Sequence, residues 1–190
     1  MQYYHVSSYV KEGDVLTRNT KNNREWCCFA SSCDLSTFEK FLECYNYLSS
    51  HNVSNLTGRT VAKWTCEALF DYIRRTEFIE KPSRIWGIYL SATLEDAKKF
   101  LAADRKPWVD KNGIRHESHI FSITLKSTDK VYTFDMDLYT QADKLLQNNQ
   151  PCKEIYDYII DKARLYWQST SGSFTEHIVD SDVLVGKQIE

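Results

Sequence analysis

The sequence predicts an α+β domain, short strands spread from its first residues to its last with blocks of helix inserted between them. Three observations predict it. Apolar residues alternate over 119–125, with Phe121, Ile123 and Leu125 on one side, the period of a half-buried strand. Ile155, Ile159, Ala163 and Tyr166 recur at the spacing of a helical stripe. The chain has 190 residues, 42% apolar and 14% aromatic, with only three prolines and six glycines, enough for one ordered core.

The elements follow in order. Tyr3 to Val6 reads as a short strand and Val15-Leu16-Thr17 as a second, before a polar loop at 18–25. Ser36 and Glu39 have the spacing of a capping box, in which hydroxyl and carboxylate each satisfy a free backbone N–H. Leu35, Phe38, Phe41, Leu42, Tyr45 and Leu48 then continue at helical spacing. After a loop at 50–58, a second helix is expected over about 60–78, closed by Pro82; residues 20–84 read as a helical insertion within a single domain, 1–190. Gly87 to Ser91 is a strand, and a helix from Thr93 to Leu101 begins with Thr93 and Asp96. A charged loop is expected at 104–117, strands at 119–125 and 130–135, and helices at about 138–148 and 152–167. Two short strands, 176–179 and 183–189, meet at Asp180-Ser181-Asp182.

Charge and composition exclude several classes. With 24 Lys+Arg against 26 Asp+Glu the net charge is -2, which argues against a globally basic, histone-like binder while leaving room for a local basic groove. No apolar run approaches the ~18 residues of a membrane span. The opening MQYYHVSSYVKEGD lacks the charged and apolar regions of a secretory signal, so the expectation is a cytoplasmic protein with no membrane partner. There the six cysteines (Cys27, Cys28, Cys33, Cys44, Cys66 and Cys152) should stay reduced. Their spacing lacks the paired C-x2-4-C of a zinc site, even with His51 added, so no metal is expected and buried thiols packed as small apolar groups are the better reading.

Three positions stand out as carriers of chemistry. His5 lies within an apolar strand, Tyr89 at a strand-to-helix junction, and Glu176 at the opening of the penultimate strand. Singly, each reads as packing or as a solvated charge. In this order, their surroundings resemble those of ADP-ribosyltransferases. Tyr4-His5 followed by Gly13-Asp14-Val15-Leu16 is similar to the opening of the rifamycin-modifying members. Ile88-Tyr89-Leu90-Ser91-Ala92-Thr93-Leu94, with Ala97, resembles the same family's tyrosine strand and following helix. Glu176-His177-Ile178-Val179, a turn, and Val183-Leu184-Val185 resemble the glutamate hairpin of the wider superfamily. The resemblance covers both ends and the middle of the chain; residues 20–84 and 138–167 lie outside it.

The resemblance implies a split β-sheet core with inserted helices and a cleft of the His-Tyr-Glu type that takes NAD as co-substrate. His5 would hydrogen-bond the adenosine ribose, the Val6 backbone would pair with the nicotinamide amide, and Tyr89 would stack on the nicotinamide. Glu176 would hold the nicotinamide ribose and stabilise the oxocarbenium-like transition state. The residue types suit that chemistry. A fixed carboxylate acts most where positive charge develops away from water, and an aromatic face attracts a cationic ring by roughly 0.5–2 kcal/mol. Val6 replaces the glycine common after the histidine, and Phe174 stands where arginine-targeting members carry Gln or Glu. In the rifamycin-modifying group the acid comes earlier, which makes Asp135 (or Asp137) the alternative to the preferred Glu176. Arg18 and Arg24 are candidates for the pyrophosphate, with solvated loop charge as their plainer reading, and Ser7 is a further ribose candidate.

On the acceptor side, Lys98, Lys99, Arg105, Lys106, Lys111 and Arg115 surround Trp108 against only Asp104 and Asp110. Cations interleaved with an aromatic suit single-stranded nucleic acid, phosphates meeting charge and a base meeting the ring; a solvated surface is the plainer reading. Lys106, Trp108 and Lys111 are therefore substrate-binding candidates. By analogy with the superfamily, so is the polar loop 168–175 ahead of Glu176, with Ser171 and Ser173. The expectation is an ADP-ribosyltransferase acting on a macromolecule, RNA or single-stranded DNA before protein, as a toxin or defence effector with an antitoxin protein as partner. The rival readings are transfer to a protein or small molecule, and an inactive binding module of the same fold.

Overall fold

The computed structural model describes residues 2–17, 24–50, 58–104, 107–109 and 112–189. Its elements are β1 (Tyr3–Ser7), β2 (Val15–Leu16), α1 (Arg24–Ser32), α2 (Phe38–Ser50), α3 (Gly58–Glu77), β3 (Ile88–Leu90), α4 (Leu94–Asp104), β4 (Trp108–Val109), β5 (Arg115–His116), β6 (His119–Thr124), β7 (Val131–Asp135), α5 (Met136–Asn148), α6 (Lys153–Gln168), β8 (Thr175–Val179) and β9 (Val183–Gln188). The architecture is α+β. It divides into two compact units: Met1–Thr20 with Gly87–Val131 and Glu176–Glu190, and Lys21–Trp86 with Tyr132–Thr175.

The first unit is built on an antiparallel sheet in the order β1-β6-β9-β2. Strand alternation separates its two faces. On one, Leu16, Phe121, Ile123, Val183 and Val185 form a buried cluster with Ile88, Leu90 and Val179, and Tyr3 packs against it. On the other, Val6 and Ile120 pack with Ala97 of α4. Gly13 turns the chain between β1 and β2 with φ of 89°, a left-handed conformation that glycine adopts without a Cβ penalty, and its N–H donates to the Val185 carbonyl at 2.9 Å. A second antiparallel ladder joins β3 to β8, with Ile88 opposite Val179, Tyr89 opposite Ile178 and Leu90 opposite His177.

The second unit is helical. α3 packs against α1, α2, α5 and α6. Phe70, Phe134, Tyr139, Tyr166 and Trp167, all buried, form an aromatic core with ring centroids 4.7–5.5 Å apart in edge-on and stacked pairs. The Trp167 Nε1–H donates to the Phe70 carbonyl at 2.8 Å, so the indole is buried without stranding its one donor. Residues 138–167, which the family resemblance left aside, thus lie in the same unit as residues 21–86.

Three local expectations are corrected. α2 is capped by Thr37 and not Ser36: the Lys40 N–H donates to Thr37 Oγ1 at 3.4 Å, while the Ser36 N–H is taken by Asp34 Oδ1 at 3.0 Å in an Asx turn that carries the chain one residue past the expected start. The stretch from Arg24, expected to open within a loop, is the helix α1, and its Trp86-facing side is tied down where Trp86 Nε1–H donates to Ser31 Oγ at 2.9 Å. The charged stretch 104–117 contains a two-stranded hairpin, β4 with β5, around Gly113 at φ of 81°. At α4, by contrast, Thr93 and Asp96 form a reciprocal cap, Asp96 N–H to Thr93 Oγ1 at 3.0 Å and Thr93 Oγ1–H to Asp96 Oδ2 at 2.6 Å.

Candidate active site

His5, Tyr89 and Glu176 all belong to the first unit. β1 and β3 meet at a single bridge, in which the Tyr4 N–H donates to the Ser91 carbonyl at 2.9 Å and the Ser91 N–H to the Tyr4 carbonyl at 2.8 Å. Continued pairing would bring Val6 opposite Tyr89. Among the described residues the ladder stops at the one bridge. The His5 ring is there instead, its Nδ1 2.9 Å from the Tyr89 carbonyl. A carbonyl only accepts, so Nδ1 is the donor in this contact.

Backbone alternation then orients Val6. Its N–H and C=O point to the same side of β1 as those of Tyr4, toward the edge where β3 leaves. Its side chain lies beneath α4 with Ala97 and Ile120, so valine in place of glycine enlarges the packed face and not this edge.

The β3–β8 register places the other two residues. Ile88 and Leu90 face the buried cluster, so Tyr89 points the other way. Ile178, directly opposite, shares that face, and so does Glu176 two residues earlier on β8. Glu176 stands one residue before His177, the partner of Leu90. Tyr89 and Glu176 are both half-buried. His177, on the cluster side, meets Tyr3 edge-on at 5.8 Å; burial pushes its imidazole below the usual 6.5, with Asp96 pulling the other way.

The remaining candidates have local partners or fall elsewhere. Ser7 Oγ accepts from the Tyr9 N–H at 3.1 Å, a turn contact at the end of β1. Asp135 is the N-cap of α5: its Oδ1 accepts from the Asp137 N–H at 3.0 Å, and Gly172 lies so close that a Cβ there would collide with the carboxylate. Asp137 in turn accepts from the Ser173 hydroxyl, and Ser169 Oγ accepts from the Asp135 N–H at 2.8 Å. Loop 169–174 is thus fastened to the start of α5, with Ser171 exposed. Arg24 opens α1 and Trp108 opens β4. Arg18, Lys106, Lys111 and His51 lie outside the described residues. Lys99 sits 4.0 Å from both Glu95 and Asp96, and Arg115 sits 2.8 Å from Glu117, so part of the basic run is offset by carboxylates beside it. Among the described residues no three of His, Cys, Asp and Glu converge as a metal set, and no helix is long and apolar enough to cross a membrane.

One buried charge network escaped the sequence reading. Arg84, 2% exposed, forms a two-pronged pair with Glu67 at 2.9 and 3.0 Å, donates to the Tyr166 hydroxyl at 2.8 Å and lies 4.1 Å over the Tyr139 ring. Burial would raise the Glu67 carboxyl; the guanidinium outweighs it and holds the acid below its ordinary value. Nothing in the spacing of Glu67, Arg84, Tyr139 and Tyr166 announces this meeting, which is structural in character.

An α+β protein with histidine, tyrosine and glutamate on three neighbouring strands is the class these features define. Residues 3–190 match the family described as protein of unknown function (DUF2441), and the chain belongs to that family. No curated protein matches it.

Proposed function

We propose that the protein is an NAD-dependent ADP-ribosyltransferase built on a split-sheet core. One observation carries the reading: β1 and β3 part after a single bridge, with the His5 ring on the Tyr89 carbonyl at the parting point and Glu176 on the next strand. Residues 84 positions apart in sequence are joined there by a hydrogen bond. The orientation of each group supports it. The His5 ring, held at the parting point by its Nδ1, suits a contact with a ribose hydroxyl. The Val6 N–H and C=O, directed along the edge, suit the two ends of a carboxamide. Tyr89 and Glu176, on one face, suit a cationic ring and the ribose attached to it.

In the proposed reaction the bond between nicotinamide and ribose lengthens, positive charge grows on the ribose, and the Glu176 carboxylate stabilises it. An acceptor nucleophile then closes on the ribose carbon, loses its proton to solvent, and nicotinamide departs with the bonding electrons. Glu176 is preferred to Asp135 because the Asp135 carboxylate caps α5 beneath Gly172. The acceptor proposed is RNA or single-stranded DNA, on the basic run around Trp108, and the setting is a toxin or defence effector held by an antitoxin protein.

The test is nicotinamide release from NAD by purified protein with total RNA, single-stranded DNA or lysate protein as separate acceptors. Glu176→Gln is expected to lower turnover by about 10²–10³-fold while NAD binding changes little, because the carboxylate acts on charge that exists only in the transition state. Release that requires protein would move the acceptor to that class. No release with any acceptor from folded protein would leave the inactive binding module. Release that survives Glu176→Gln and fails in Asp135→Asn would overturn the choice of acid.

A further inference from the structure

The sheet that carries His5 continues sideways into a polar rim. His5 stands opposite Phe121, Ser7 opposite His119, and Phe121 in turn opposite Gln188. Partners across a ladder share a face, so His5, Ser7, His119 and Gln188 lie on the side of Phe121. A register shift between β6 and β9 at Phe121 and Ile123 brings Gln188 there, three residues along from Val185 of the same buried cluster. Phe121 is 3% exposed beneath that cluster. Ser7 ends β1, His119 opens β6 and Gln188 ends β9, so the three polar residues sit past the apolar packing, at one end of the sheet. Ser7 and His119 are half-buried and Gln188 is exposed.

The distances suit a ligand that begins at His5. Ser7 is two residues further along β1, about 7 Å, and His119 is one strand across from Ser7, about 5 Å. Gln188 Nε2 lies 3.3 Å from His119 Nδ1, and an amide nitrogen only donates, so the imidazole holds the nitrogen end of the amide. The second N–H of that nitrogen and the amide oxygen are then a donor and an acceptor side by side. The Ser7 hydroxyl accepts from the Tyr9 N–H at 3.1 Å and has its own hydrogen to donate.

We propose that Gln188, held by His119, reads the base of the dinucleotide and selects adenine; the inference rests on the reading of the His5 cleft as an NAD site. With the adenosine ribose at His5 and Ser7, the base comes to lie one strand further across, at His119. The Gln188 oxygen accepts from the adenine N6 amino group and its nitrogen donates to N7, the two-pronged pairing that a planar amide makes with this base edge. Hypoxanthine carries a carbonyl in place of the amino group. The Gln188 oxygen would then face another oxygen with no hydrogen between them, and one of the two bonds is lost.

The experiment is calorimetric binding of NAD and of nicotinamide hypoxanthine dinucleotide to the full chain, with nicotinamide release measured alongside. The wild type is expected to bind NAD roughly 5–150-fold more tightly, the range of one two-pronged base contact. Gln188→Ala should bring the two Kd values together, chiefly by weakening NAD, and should raise KM for NAD while kcat holds. His119→Ala should narrow the preference in the same direction, and a full preference there overturns the role given to His119. Equal binding of the two dinucleotides by the wild type, or a preference that survives Gln188→Ala, overturns the proposal and leaves the transferase reading in place. A preference lost in Gln188→Ala without release of nicotinamide supports the base contact and overturns the transferase reading alone. Binding of neither dinucleotide overturns both.

Discussion

At the scale of single residues, Arg84 and His177 show how burial changes the meaning of a charge. Arg84 and Glu67 face each other with little water, so deleting one partner strands the other. Arg84→Ala is expected to destabilise the protein by about 3–5 kcal/mol in urea unfolding. The Arg84→Ala, Glu67→Ala double variant should lose less than the two singles together, because the stranded carboxylate is then gone. His177 works through pH. Its imidazole is held below 6.5 when folded, so under mildly acidic conditions the unfolded chain binds a proton that the folded one refuses. Stability should therefore fall as pH drops below 6.5 and level off once the folded ring also titrates. Replacing His177 with Leu is expected to flatten that part of a melting-temperature profile; an unchanged slope would assign it to other groups.

At the scale of elements, the start of α5 is the informative case. Asp135, Asp137, Ser169, Gly172 and Ser173 converge there although they come from both sides of two helices. The sequence shows a polar loop ahead of Glu176, and the family resemblance implies acceptor contacts there; the structure fastens much of that loop to a helix cap. A side chain at Gly172 must displace the Asp135 carboxylate and with it the cap. Gly172→Ala is expected to cost about 1–2 kcal/mol in thermal or urea unfolding, the range of a lost N-cap. Capping was legible where reciprocal partners stood alone, as with Thr93 and Asp96. It was misread at α2, where Ser36 and Thr37 compete for one role and Asp34 decides by occupying the Ser36 N–H.

At the scale of the whole molecule, a net charge of -2 limits how nucleic acid can be held. The proposed acceptor contact depends on one basic run, part of it offset by Glu95, Asp96 and Glu117. Few phosphates can be neutralised there, and each neutralised phosphate releases counterions. Transfer to RNA is therefore expected to fall with a shallow slope in a salt titration, about one to three in log rate per log salt, against slopes near ten for extensive phosphate binders. A steep slope would require a larger basic surface than this run supplies.

The sequence by itself determined what depends on neighbours along the chain. Alternation along β6, the stripe on α6 and the reciprocal cap of α4 are local, since a strand or helix repeats its environment every two or 3.6 residues. It also carried the order of the His, Tyr and Glu motifs, and so the expectation of a site. The tertiary structure decided how strands distant in sequence meet: the single bridge between β1 and β3, the His5 ring on the Tyr89 carbonyl, and the shared face of Tyr89 and Glu176. It decided that Asp135 serves a cap and that Arg84 finds Glu67. The physical reason is range. Periodicity and capping act across a few residues, whereas register, burial and the pairing of buried charge depend on which surfaces the packed chain brings together.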